Sequence, residues 1–94
     1  MRAAYELRER ERMNRKHARV HGAHTEVVDY AWVIEDAAGV CYLCGHEIEM
    51  TGPSFLASIE FDHVVPLSRG GSHIRENIGV THRTCNRRKG NRDA

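Results

Sequence analysis

The sequence is short of aromatic residues and has no long apolar run. Aromatics make up 6% of the 94 residues, so apolar burial gives the chain little margin over the conformational entropy lost on folding. No apolar stretch approaches the roughly 20 residues that a membrane span needs, and the Arg- and Glu-rich start differs from a secretory signal. We therefore expect one small cytoplasmic domain, away from membranes, that needs a stabilising cross-link.

A large excess of charge of either sign is also missing. The formal net charge is +1, which neither supports nor excludes a polyanionic partner. The charges are unevenly distributed, because the segment near the C-terminus is basic and faces only Asp93 as a counter-charge. This distribution is compatible with contacts to phosphates, and a solvated helix face is the alternative interpretation.

The three cysteines cannot all pair within one chain, and two of them form a Cys41-x-x-Cys44 pair. Zinc takes four ligands in a tetrahedron, and two thiolates at this spacing reach it from one tight turn. The third cysteine, Cys85, has His82 three residues before it, so both lie on one face of a predicted helix. We predict that these four residues bind a structural zinc ion. His46 is a competing ligand, and three free thiols are the alternative.

The first 20 residues are rich in charge and poor in apolar side chains. Glu6 with Arg10, and Glu11 with Arg15, have the four-residue spacing and the order that favour an exposed helix. We interpret the alternating charges as a solvated helix face. The alternative is that this helix binds the phosphate backbone of a nucleic acid.

The remaining pattern predicts a second helix, two strands and a last helix. Thr25 is placed to cap the second helix and Gly39 to end it. Residues 59–65 and 78–81 are β-branched enough to form a hairpin with a long, glycine-containing connection. The last helix is predicted from about residue 82. Four of its residues would form one stripe along the helix: His82, Cys85, Asn86 and Lys89.

Several separated motifs between residues 41 and 89 resemble the signature of the HNH endonuclease family. About half of the chain is covered. The motifs occur in the family's order and are flanked by the predicted zinc ligands: Asp62-His63, Pro66-Leu67-Ser68, Gly70-Gly71, Asn77, Cys85-Asn86 and Lys89.

The resemblance implies a role for each matching position. His63 matches the general base that takes a proton from water, and Asn77 matches an asparagine that bridges the loop and orients the histidine. Asp62 and Asn86 match the ligands of a catalytic divalent cation, Mg²⁺, Mn²⁺ or another. The sequence departs from the motif's letters at Asn86, where they specify histidine, which leaves the metal preference open. Taken singly, Asp62, His63 and Asn77 are also common turn or strand residues. His73, near a place where the family often has a polar residue, is interpreted as a solvated loop residue, with assistance in catalysis as the alternative.

The resemblance also implies a fold, an activity and partners. The fold is α+β: a small ββα-metal unit stapled by structural zinc in residues 25–94, preceded by an exposed charged helical arm in residues 1–24. The activity is metal-dependent DNA cleavage in a bacterial or phage-infected cell. The alternatives are a non-catalytic zinc-binding DNA or partner-binding module and an accessory subunit beside phage terminase or packaging proteins. The residues predicted to contact DNA phosphates are Arg69, Arg83, Arg87, Arg88 and Lys89.

Overall fold

The computed structural model describes residues 2–52, 54–90 and 92. Four helices and one hairpin follow in the order helix, helix, helix, strand, strand, helix, which confirms the α+β class. The elements are α1 (Arg2–Val20), α2 (Tyr30–Ala37), α3 (Phe55–Ser58), β1 (Ile59–His63), β2 (Ile78–His82) and α4 (Arg83–Lys89). Among the described residues, no helix combines the length and the apolar character that crossing a membrane requires.

The hairpin and α4 form the predicted ββα unit. β1 and β2 are antiparallel, with Phe61 opposite Val80 and His63 opposite Ile78. The alternate residues Ile59 and Phe61 of β1 are buried, as expected for a two-stranded sheet with one covered face. α4 contacts both strands, so its stripe of site residues faces the hairpin.

The N-terminal helix is attached to the rest of the domain by polar contacts. Arg10 donates to the carbonyl of Ile59 at 3.2 Å, and Asn14 donates to the hydroxyl of Tyr30 at 2.8 Å. The Tyr30 ring stacks on Phe61 with 4.0 Å between the ring centres. α1 is therefore packed against α2 and β1 although most of its surface is exposed. The division of the chain near residue 24 stays a prediction.

Two predicted boundaries are wrong. Thr25 does not cap α2; Asp29 does, because its carboxylate accepts from the backbone N–H of Ala31. Thr25 instead forms an isolated bridge with His73. His82 lies outside α4, as its extended N-terminal cap residue and the last residue of β2. His82 is extended rather than helical because it pairs with Ile59 across the hairpin.

Candidate active site and metal centre

The four predicted zinc ligands come together at one end of the hairpin. The ligand atoms of Cys41, Cys44, His82 and Cys85 all lie within 4.8 Å of one another. Nδ1 of His82 is 3.4 Å from Sγ of Cys44 and 3.7 Å from Sγ of Cys85. Tetrahedral zinc with ordinary bond lengths places sulfur and nitrogen ligands about 3.5 Å apart. The cluster is therefore compatible with a structural zinc ion.

The orientation of the His82 ring also fits this use. Its Nε2 atom lies 2.9 Å from the carbonyl oxygen of Glu47, which can only accept. Nε2 therefore carries the hydrogen, and the lone pair of Nδ1 points into the cluster, the usual arrangement of a metal-bound histidine. His46 contributes only its backbone N–H, which donates to Sγ of Cys44. Its side chain is outside the cluster, so the competing ligand is excluded.

The thiols differ in how easily they ionise. Burial opposes ionisation of Cys41, but hydrogen bonds from the backbone of Cys44, His82 and Leu43 outweigh it and lower the pKa of the Cys41 thiol to about 6. Burial, together with the neighbouring Cys44 and Cys41, raises the pKa of Cys85 to about 11. Metal binding requires thiolates, so a cation would relieve the mutual repulsion that keeps Cys85 protonated.

Beside this cluster, an open cleft of about 440 Å³ lies between the end of α1, β1 and α4. It is lined by Asp62 and His63 from β1 and by Asn86 from α4, so the three residues predicted to share one site do share one. Neighbouring strand residues normally face opposite sides of a sheet. β1 ends at His63, which lets both of its last two side chains border the cleft.

Asp62 is held by two donors from different parts of the chain. The hydroxyl of Tyr42 and the ammonium of Lys89 both donate to its Oδ2 atom, the latter at 2.8 Å. Burial and the bond to Asp62 raise the pKa of Tyr42, so it remains a donor. Gly79, opposite Asp62 in the hairpin, makes room for the Tyr42 ring: a Cβ there would lie 2.6 Å from it.

Lys89 was predicted to contact DNA, but the structure places its ammonium inside. The side chain is 4% exposed, pairs with Asp62 and donates to the carbonyl of His63 at 2.9 Å. Because α4 turns this face towards the hairpin, the charge of Lys89 is neutralised by Asp62 and is turned away from a phosphate. Lys89 therefore positions the two adjacent site residues of β1.

Replacing this buried ammonium should destabilise the domain. We expect Lys89→Met to lower the free energy of unfolding by about 3 kcal/mol, because the Asp62 carboxylate loses its counter-charge. Urea unfolding of the zinc-containing chain measures the change. Arg88→Met, on the exposed face of the same helix, is the matched control and should stay within about 0.5 kcal/mol of the unmodified chain. Equal losses in the two variants would contradict a structural role for Lys89.

His63 is half-buried and contacts a second histidine. Its Nε2 atom lies 3.0 Å from Nδ1 of His73. Burial is the main cause that lowers the pKa of His63 to about 4, and the nearby carboxylate of Asp62 acts in the opposite direction without outweighing it. The ring is therefore neutral at physiological pH and has a lone pair with which to accept a proton.

Asn77 closes the loop that follows His63. Its Nδ2 donates to the carbonyls of Val65 and Ser72, and its Oδ1 accepts from the N–H of Val65 at 2.9 Å. Gly71 lies inside the same loop, where a Cβ would come within 1.8 Å of the carbonyl oxygen of Val65. The side chain of Asn77 thus spans the loop, and glycine is required where the loop folds back on itself.

The four predicted DNA-contacting arginines lie in different environments. Arg87 lines the cleft, and Arg88 is exposed next to it. Arg83 is paired with Glu60 at 3.4 Å on the surface. Arg69 lies exposed at the end of a 3₁₀ turn. Three of these four residues are on α4, the helix that also carries the cleft residue Asn86.

Two residues, His73 and Glu11, are buried although the sequence predicted that they would be exposed. His73, interpreted as a solvated loop residue, has no exposed surface. Glu11 forms the expected pair with Arg15, but it is 4% exposed and its carboxylate also contacts His73. No local pattern marks this contact, because the two residues are 62 positions apart. The glycine inside a strand at Gly79 is a signal that could have indicated the close approach of Tyr42.

The part of the chain that carries the zinc cluster and the cleft matches a known family. A family model described as HNH endonuclease matches residues 41–92, which include the four clustered zinc ligands and the cleft residues of β1 and α4. A comparison with curated proteins found no match. The matched segment begins after α2, so α1 and its contacts with His73 lie outside it.

Proposed function

Because the chain belongs to the HNH endonuclease family, we propose that it is a metal-dependent endonuclease that hydrolyses phosphodiester bonds in DNA. The observation that carries this proposal is the convergence of His63, Asp62 and Asn86 on one open cleft beside the zinc cluster. An imidazole, a carboxylate and an amide oxygen together supply a base and two hard ligands, which are groups that metal-assisted hydrolysis uses.

His63 is proposed as the general base. It takes a proton from a water molecule, and the hydroxide so formed attacks phosphorus while the bond to the leaving oxygen breaks. The low pKa of the ring keeps it unprotonated before the reaction. Its backbone is held by Lys89 at the carbonyl and by the hairpin, which keeps the ring at the end of β1.

Asp62 and Asn86 are proposed to hold the catalytic divalent cation. Carboxylate and amide oxygens suit Mg²⁺ and Mn²⁺, and two protein ligands leave positions for water and a phosphate oxygen. Both observed donors to Asp62 use Oδ2, and the carboxylate has a second oxygen to offer. When bound, such a cation stabilises the negative charge that develops on the phosphate and the leaving oxygen.

DNA is proposed to lie along the rim of the cleft, where Arg87, Arg88, Arg83 and Arg69 neutralise its phosphates. Contacts of this kind give affinity that falls as salt is added and carry no sequence information. We therefore propose weak sequence preference. Lys89 is left out of this set, since its ammonium is already paired with Asp62.

Cleavage of supercoiled plasmid with and without added Mg²⁺ or Mn²⁺ tests this proposal. The zinc-containing chain should convert plasmid to nicked circles only when one of these cations is added. A matched single-stranded RNA should be cut more slowly if DNA is the substrate. DNA binding without cation-stimulated cleavage would overturn the nuclease proposal in favour of a non-catalytic module. Association with phage packaging proteins and a cytoplasmic location stay predictions.

A further inference from the structure

Hydrogen bonds among three side chains, those of Glu11, His73 and His63, join α1 to the end of β1. His63 Nε2 lies 3.0 Å from His73 Nδ1, and His73 Nε2 lies 3.0 Å from Oε2 of Glu11. His73 has no exposed surface and Glu11 is 4% exposed, so water does not compete for the middle of this series of hydrogen bonds. Each ring nitrogen involved therefore has a defined partner, and the hydrogens between them can be assigned.

The Glu11 carboxylate is the acceptor at one end of this series of hydrogen bonds. The same oxygen, Oε2, also accepts from Nε of Arg15 and from the backbone N–H of Val28, each at 3.0 Å. Burial favours the protonated acid, but these hydrogen bonds and the one from His73 outweigh it and lower the pKa of Glu11. An ionised carboxylate has no hydrogen to donate. His73 must therefore donate to it from Nε2.

The direction of the second link follows from the first. The Glu11 carboxylate already has the guanidinium of Arg15 as its counter-charge, so a second cation at His73 is not needed and we take His73 as neutral. A neutral imidazole carries one hydrogen, so a His73 that donates from Nε2 has a bare Nδ1. That bare nitrogen can only accept, and His63 must donate to it from Nε2. The lone pair of His63 is then on Nδ1.

We infer that Glu11 and His73 are positioning residues that fix His63 in the Nε2–H tautomer and leave its Nδ1 as the nitrogen that takes the proton from water. The catalytic part of this inference rests on the proposed function. In the alternative arrangement, a His73 with hydrogens on both nitrogens would donate from Nδ1 to Nε2 of His63. His63 would then carry its own hydrogen on Nδ1 and have no lone pair for the water.

Nitrogen-15 spectroscopy of the zinc-containing chain tests the tautomer without any activity measurement. We expect the hydrogen between the rings to be bonded to Nε2 of His63, with a through-hydrogen-bond coupling to Nδ1 of His73. Spectra of His63→Ala assign the signals among the seven histidines. A hydrogen bonded to Nδ1 of His73, or one bonded to Nδ1 of His63, overturns the inference.

Two substitutions of His73 test its positioning role. His73→Leu removes the acceptor for His63, and we expect kcat to fall by about 10- to 100-fold with KM changed less than about twofold. His73→Asn returns an acceptor oxygen near the place of Nδ1 and should restore most of the loss. The backbone N–H and carbonyl of His73 are bonded to His24 and Glu26, and these bonds remain in both variants.

Glu9→Gln is the matched control, because Glu9 is on the same helix and pairs with Arg12 at the surface. It should leave kcat unchanged. Unchanged kcat in His73→Leu, or a loss that His73→Asn does not restore although it folds and binds zinc, overturns the positioning role. Absence of nuclease activity in the unmodified chain contradicts the proposed function instead, and the spectra still decide the tautomer.

Discussion

Removal of zinc is expected to unfold this domain. Cys41 and Cys44 lie before the hairpin, whereas His82 and Cys85 lie at its end, so one ion ties together segments about 40 residues apart. Zinc binding to such sites is worth about 10–16 kcal/mol at neutral pH. Domains of this size have a total stability of about 5–15 kcal/mol. The small apolar core should therefore not hold the fold without the ion.

Circular dichroism and a ¹H–¹⁵N spectrum measure this loss. Zinc content is followed while a chelator is added, and helical signal and spectral dispersion should disappear together and return with zinc but not with Mg²⁺. Cys85→Ser should behave like the chelated chain. His46→Ala is the control, because this residue contacts the cluster through its backbone N–H and its side chain is not among the four clustered ligands. A metal-free chain that keeps its dispersed spectrum would show that the core is sufficient.

Replacing His63 is expected to abolish most cleavage while leaving DNA bound. The His63 imidazole is unprotonated at neutral pH and can accept a proton, and general bases contribute about 10²- to 10⁴-fold to a rate. His63→Ala should therefore slow plasmid nicking within this range. Binding should change little, because the proposed phosphate contacts belong to arginines elsewhere on the rim.

Rates of nicking at saturating Mg²⁺ and a separate filter-binding measurement distinguish these two effects. His24→Ala is the matched control, since this histidine is exposed and its ring is paired with the surface residue Glu26. It should cleave like the unmodified chain. Equal nicking by His63→Ala and the unmodified chain would refute the general-base role, whereas equal losses of binding and nicking would indicate a structural defect.

The zinc cluster and the hairpin could be predicted because their signals are local. A Cys-x-x-Cys pair and a histidine three residues before a cysteine have few other uses, and β-branched runs between turns indicate strands. The cap at Thr25 could not be distinguished from one at Asp29, because both residue types accept from a first-turn N–H. Tertiary pairing decided it, since Thr25 is held in a bridge to His73.

The sequence predicted which residues line the cleft, but not the burial and the contacts of the residues around them. Lys89 had the pattern of a phosphate-binding helix residue, and only the packing of α4 shows that its charge meets Asp62. The burial of His73 and its contact with Glu11 depend on how α1 docks, which no spacing within α1 specifies. Long-range polar contacts of this kind leave no periodic trace in a single sequence.

The contact between Glu11 and His73 also bears on how much of the chain must be kept when its HNH domain is moved into another protein. A fragment cut to the family-matched residues 41–92 keeps every zinc ligand and every cleft residue of the hairpin and α4. It loses the carboxylate against which the ring of His73 is set, and exposes that ring to solvent. The shorter fragment also lacks Tyr30 and Val33 of the buried core, so a graft needs both α1 and α2 as well as the matched segment.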